Sequence, residues 1–258
     1  MREVDRERQV HGPAWNGWHA GYFSNPAAAV PLLAAIRAAA TQPPPDVVVD
    51  LGGGTGFLLA ELARRGVAPD SRLINVDASA AQLQAATHPR LVNVCAALTD
   101  VRRGALAAEH LRFLLGMRSV LHYFGQAGLP PALQHLRAQM QPGEYFVHQS
   151  ACFADPQAAT VINRLYALMA TGKWYPTRAH LQDLLAAAGW RVTATAAAPA
   201  LPLDSAALAG RYRLTSAQLA DIQAVLHAAY GERPGVFEHT PAGFRAWLPY
   251  TIFTCVAA

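Results

Sequence analysis

The sequence predicts an α/β fold, doubly wound, with a mostly parallel sheet covered by helices on both faces. Three observations predict it. A β-branched run, Val47, Val48 and Val49, meets a turn holding Gly52, Gly53, Gly54 and Gly56, and a helical pattern restarts at Phe57. Strand-like and helix-like segments then alternate along the chain, as parallel strands joined by crossover helices require. An apolar content of 52% over 258 residues supplies the core of one large domain, or of a domain and a cap.

In chain order, residues 1–24 are polar and then aromatic, with Trp15, Trp18, Tyr22 and Phe23. Asn25 and Pro26 open an Ala-rich helix reaching about Ala40, since proline suits a first helical turn. Thr41–Pro45 is a stiff connector into the first strand. The strand candidates are 46–51, 72–77, 91–95, 111–116, 144–149, 190–197 and 249–256, read from β-branched and apolar runs bounded by turn residues. Helices are expected near 57–65, 79–88, 102–109, 129–140, 156–171, 178–188 and 216–230. Ala78 and Ser79 cap the second of these, and Thr215 with Gln218 fits a capping box for the last. Residues 200–248 exceed a normal connection; Tyr212, Tyr230, Phe237, Phe244 and Trp247 suit either a small helical cap over a pocket or a helical hairpin on the sheet edge. The expected organisation is an N-terminal lid or helical segment over 1–40 and one domain over 41–258, with 200–248 inserted as the cap.

Composition excludes several classes. The formal charge is +4 and the pI about 9.2, but no Lys/Arg block exists. Arg2, Arg6 and Arg8 alternate with Glu3, Asp5 and Glu7, which is a mixed-charge segment and not a phosphate clamp. No basic, aromatic-interleaved groove for nucleic acid is evident. Cys95, Cys152 and Cys255 lie far apart without C-x-x-C spacing, so neither a metal site nor a disulfide framework is expected. Without a signal-like start or an apolar run of ~18 residues, the expectation is a cytoplasmic protein with no membrane partner; a homodimer stays open.

The glycine turn narrows the ligand. A dinucleotide fingerprint needs a third glycine where Phe57 stands, and no Lys-Ser or Lys-Thr follows for a P-loop. What remains is Asp-x-Gly-x-Gly-x-Gly, from Asp50 through Gly52, Gly54 and Gly56. This resembles motif I of the class I S-adenosylmethionine-dependent methyltransferases. Weaker segments follow in the family's order. Arg118-Ser119-Val120-Leu121-His122-Tyr123-Phe124 is similar to its "R-x-V-L-H-x-F" stretch. Gln141-Pro142-Gly143-Glu144 is similar to its Pro-Gly-Gly turn, with Glu144 in place of the second glycine. Tyr175-Pro176-Thr177 through Ala187-Ala188-Gly189-Trp190 is similar to its "Y-x-T … A-G-F" segment.

The resemblance implies a seven-stranded Rossmann-like sheet whose last strand, 249–256, runs antiparallel. It implies S-adenosyl-L-methionine as cofactor, with S-adenosyl-L-homocysteine as product. Asp50, Gly52, Gly53 and Gly54 then hold its amino-acid end. Asp77, 25 residues past Gly52, grips the ribose beside Ala78, because an acceptor-only carboxylate suits two vicinal hydroxyls. The family's adenine-contacting acid is missing: Ala97 stands at that position, and Ala97 and Leu98 are left to pack on the purine. Tyr22 is expected as a lid aromatic and Arg118 as an anion-binding or structural cation near the cofactor. His122 and His148 are the candidate general bases, since imidazole titrates near neutrality. Trp174 and Tyr175 are expected against the substrate, which the aromatic content suggests is a small organic molecule of secondary metabolism, methylated on oxygen before nitrogen or carbon. Neither Asn/Asp-Pro-Pro-Tyr nor a pair of acids follows the fourth strand, so nucleobase amines and metal-bound catechols are disfavoured. The rival readings are a relative that binds the cofactor without methylating, a non-catalytic regulatory partner, and a nicotinamide-dependent reductase, against which Phe57 speaks.

Overall fold

Valines that alternate between two apolar environments make a strand buried on both faces, and β1 (Val47–Leu51) is that strand. A computed structural model describes residues 21–41 and 43–258. Trp15, Trp18 and the mixed-charge start lie outside the described residues. The elements are α1 (Pro26–Ala39), β1, α2 (Phe57–Arg64), β2 (Arg72–Asp77), α3 (Ala80–Gln84), β3 (Leu91–Cys95), α4 (Arg103–Leu106), β4 (Phe113–Arg118), α5 (Gly125–Ala138) and β5 (Tyr145–Ala151). Then come α6 (Pro156–Leu168), α7 (Arg178–Ala187), β6 (Trp190–Asp204), α8 (Ser205–Tyr212), α9 (Ser216–Tyr230), β7 (Phe237–Thr240) and β8 (Gly243–Ala257).

The sheet order is β3-β2-β1-β4-β5-β8-β6, with β7 paired to β8. The pairs joining β3, β2, β1, β4 and β5 are parallel. β8 runs antiparallel to both neighbours, as expected of the last strand. Period-2 alternation sends Val48 and Leu114 toward α1 and α2, where Leu32, Ile36, Leu58 and Leu62 wait. Val47, Val49 and Leu115 face the other way, toward Leu129, Leu133 and Leu136 of α5 and Leu181 and Leu185 of α7. A third cluster joins α6, α8 and α9 to the outer arms of β6 and β8 through Ile162, Leu165, Leu208, Leu226, Phe244 and Leu248.

The departures from the sequence reading have local causes. The sheet gains an eighth strand, because β6 and β8 each run 15 residues and their arms pair beyond the parallel core, with β7 added. Residues 200–248 are therefore not helical throughout: they hold the arms, β7, and the helices α8 and α9. α3 ends at Gln84, short of residue 88, because the approach to Pro89 disfavours helix. β4 starts at Phe113 because the β1–β4 pairing begins there, with Arg112 O accepting from Val47 N–H, while Leu111 O before it accepts from the Arg103 side chain. Glu144 replaces the family's second glycine because it is a buried anchor. It takes both ends of the Arg103 guanidinium (2.8 and 2.9 Å) and the N–H groups of Phe113 and Gln141. Asn25, Ser79 and the Thr215–Gln218 capping box cap their helices as read from the sequence, and Thr177 caps α7 in the same way.

Candidate functional site

The glycine turn lies at the C-terminal end of β1, the edge where open α/β sheets bind ligands. Gly52, Gly54 and Gly56 all have positive φ (72°, 56° and 74°), which side-chain-bearing residues adopt at a cost. Gly53 is confined by neighbours instead. A Cβ there would stand 2.5 Å from Asp50 Oδ2 and closer still to Asn75 Oδ1. The turn is held from below: Gly52 and Gly53 N–H donate to Val76 O, and Asn75 Nδ2 donates to Gly54 O. Gly54 N–H donates to Asp77 Oδ2 (2.9 Å), while Ser79 N–H donates to Asp77 Oδ1 (2.7 Å). Asp77 thus sits against the turn and half-buried, and a carboxylate with four lone-pair sites keeps acceptor capacity for a further donor. Ala78, Ala97 and Leu98 line up half-buried at the tips of β2 and β3.

A buried polar row crosses the same edge on the face covered by α1. Asp50 on β1 is 2% exposed and Gln149 on β5 is 0% exposed, with Arg118 of β4 between them and Tyr250 of β8 beyond. Arg118 donates from Nη1 to Phe23 O (3.1 Å) and from Nη2 to Tyr22 O (3.4 Å). Its guanidinium carbon lies 5.4 Å from the ring centres of Tyr22 and Phe23 and 5.9 Å from that of Phe57. Tyr22 Oη donates to Pro199 O, which can only accept, so the Gln149 group facing Tyr22 at 3.1 Å must be its NH₂. Ser119, in the left-handed region at φ 61°, bonds Tyr250 Oη at 2.6 Å. Among the described residues Asp50 Oδ1, Arg118 Nε and Gln149 Oε1 lack hydrogen-bond partners. Burial pushes the Asp50 carboxyl up to about 7, with Asp77 adding to the rise and Arg118 opposing it. Burial also lowers the Arg118 guanidinium and raises the Tyr22 hydroxyl.

These features fit the amino-acid end of S-adenosylmethionine. The orphaned carboxylate oxygen of Asp50 is an acceptor for an ammonium, and the orphaned Arg118 N–H is a donor for a carboxylate. The bare turn lets a ligand reach the backbone.

The two histidines part company. His122 sits in a single 3-10 turn, Leu121–Phe124, directly after β4, with its ring centre 4.0 Å from that of Tyr123 and stacked at 5.1 Å on Tyr175. His148, expected as a second base, is instead a core residue. It is 0% exposed, stacked between Phe146 and Phe253, with Nδ1 on Ser150 Oγ at 2.8 Å. Burial pulls its pKa down to about 3, so it stays neutral. The reason is strand alternation: Gln149 takes the α1 face, and His148 points to the opposite one. Tyr175 is likewise closed inside the third cluster and backs His122, whereas Trp174 is half-buried and edges onto His180. Gln149, Tyr250 and Asn75 were missed by the sequence reading. The available signal was a polar residue inside an otherwise apolar strand.

A family profile described as a methyltransferase domain matches residues 26–195. No curated protein matches the sequence closely. Among solved structures, the chain is similar to the YcgJ protein of Bacillus subtilis, at 12% identity and TM-score 0.62 over 88% of this chain and 97% of that one. It is also similar to the 1,6-didemethyltoxoflavin-N1-methyltransferase of Burkholderia thailandensis, solved with 1,6-didemethyltoxoflavin and S-adenosylhomocysteine. The identity there is 16% and the TM-score 0.57, over 100% and 91% of the two chains. A third is the magnesium protoporphyrin IX methyltransferase of Synechocystis, solved with S-adenosylmethionine, at 10% identity and TM-score 0.58 over 100% and 98%. At such identities the likeness is one of fold.

Proposed function

We propose that this chain, which belongs to the methyltransferase-domain family and is an S-adenosylmethionine-dependent methyltransferase, methylates a small organic acceptor of secondary metabolism on oxygen. The observation that carries the reading is the crevice itself. A glycine turn is wedged over Asp50 and Asn75, with the Asp77 carboxylate already locked onto the Gly54 amide. The small acceptor is supported by the neighbour solved with 1,6-didemethyltoxoflavin beside S-adenosylhomocysteine.

When bound, S-adenosylmethionine supplies an electrophilic sulfonium methyl. The chain's own task is to hold and orient. Asp50, Gly52, Gly53, Gly54 and Arg118 hold the amino-acid end. Asp77 and Ala78 take the ribose, and Ala97 and Leu98 the purine. Holding an acceptor in line supplies several kcal/mol by itself, so the site needs no strong base. His122, adjoining the tip of β4, takes the acceptor's proton where one must leave. Residues 21–25, leading into α1, serve as the lid with Tyr22 as its aromatic, and 200–248 as cap; Trp174 meets the acceptor.

No helix among the described residues is long and apolar enough to cross a membrane. Calorimetric titration with S-adenosylhomocysteine tests the cofactor site. Release of S-adenosylhomocysteine from S-adenosylmethionine, screened over phenols, amines and carbon acids, tests the acceptor class. A folded protein that gives no heat defeats the reading.

A further inference from the structure

The buried row at the sheet edge has a hub. Arg118 bonds the segment leading into α1 and, in the same buried row as Asp50, keeps its Nε–H without a partner among the described residues. On one side stands Asp50, whose Oδ1 has no hydrogen-bond partner among the described residues. On the other stand the carbonyls of Tyr22 and Phe23, both taken by the same guanidinium, and the faces of both rings. The ring of Phe57, the first residue of α2 after the glycine turn, closes the third side. A guanidinium so withdrawn from water cannot shed its proton, so it must be compensated by carbonyl dipoles, ring faces or a carboxylate.

We propose that Arg118 is a positioning residue that ties occupancy of the cofactor crevice to the seating of the Tyr22–Phe23 turn. The inference rests on the cofactor reading above. A cofactor carboxylate taking the unpartnered Nε–H of Arg118 fixes the guanidinium, whose Nη1 and Nη2 then hold the Phe23 and Tyr22 carbonyls more firmly. The turn is tightened as the crevice fills. Tyr22 is otherwise held by its hydroxyl, through Pro199 O and Gln149 Nε2, and by stacking at 5.8 Å on Tyr250. The seating therefore has an anchor that does not pass through Arg118. An Arg is required rather than a Lys, because two carbonyls on successive residues need a fork.

Hydrogen–deuterium exchange with and without S-adenosylhomocysteine tests this, read at residues 21–25, where Asn25 N–H is bonded to Tyr22 O. In the wild type, saturating S-adenosylhomocysteine slows exchange there by about tenfold, a factor typical of coupled sites. Arg118→Lys binds S-adenosylhomocysteine more weakly, and at concentrations that saturate the variant the slowing falls below about threefold. Equal slowing in Arg118→Lys, or no slowing in a wild type that binds the ligand, overturns the inference and leaves the functional reading intact. A wild type that binds no S-adenosylhomocysteine defeats both. Coupling is reciprocal, so a second variant, Tyr22→Phe, which loosens the seating while keeping the ring, weakens S-adenosylhomocysteine by about three- to tenfold. Unchanged affinity in Tyr22→Phe also overturns the inference.

Discussion

Replacing Asp50 by Asn makes the folded protein more stable and the cofactor site worse. Asp50 is 2% exposed, and burial moves its carboxyl from 3.8 to about 7. Between those values the folded chain keeps a proton that the unfolded chain releases. Stability therefore falls as pH rises from about 4 to about 7 and stays low above it. A shift of ~3 units at ~1.4 kcal/mol each is a loss of about 4 kcal/mol at neutral pH, with the attraction to Arg118 already included. The uncharged amide of the Asp50→Asn variant carries no such cost. Thermal unfolding of both proteins across about pH 4 to 8 is the assay. The two coincide near pH 4 and separate with rising pH, the variant reaching a midpoint roughly 8 °C higher at pH 8. Calorimetry on the same samples shows weakened S-adenosylhomocysteine binding in the variant. Parallel stability curves, or a variant that is no more stable at pH 8, would refute the placement of an uncompensated carboxyl in this row.

The other predictions follow from single contacts. Gly53→Ala forces a methyl group onto Asp50 and Asn75 and costs about 2 kcal/mol of stability, with S-adenosylhomocysteine binding lost, as calorimetry and thermal unfolding would show. Asp77→Asn removes the charge from the bonds to Gly54 and Ser79 and weakens S-adenosylhomocysteine roughly tenfold or more in the same titration. His148 has its pKa depressed to about 3, so the unfolded chain takes up a proton first and the protein loses up to ~1.4 kcal/mol per pH unit below about 6.5. His148→Phe flattens that slope in urea unfolding and leaves the pH dependence of activity above about pH 6.5 unchanged; a shifted activity profile would restore His148 as a base.

Motif spacing made the cofactor edge legible. A glycine turn, and an acid at the end of the next strand, are constraints of local backbone geometry, and local geometry is written locally. Strand ends were equally readable where turn residues mark them, as at Arg72–Asp77 and Leu91–Cys95. What escaped was whatever depends on the opposite face or on distant partners. His148 and Gln149 are adjacent in sequence, and only the sheet decides which of them meets the row and which the core. Glu144 read as a motif departure until Arg103, 41 residues away, supplied its partner. The long arms of β6 and β8 were invisible because their pairing is mutual and far apart in the chain, and β7 because its hairpin partner is one of those arms.

β8 holds a middle lane of the sheet although it is the last strand along the chain: β5 bonds one side of it and β6 the other. Synthesis must pass residue 257 before the sheet can be completed. Until then β6 has no strand to join, and the hydrogen-bonding side of β5 stands open. A nascent chain stalled in this region offers two bare strand flanks to its neighbours, so the interval of translation before β8 emerges is where this protein most needs protection from sticking to copies of itself.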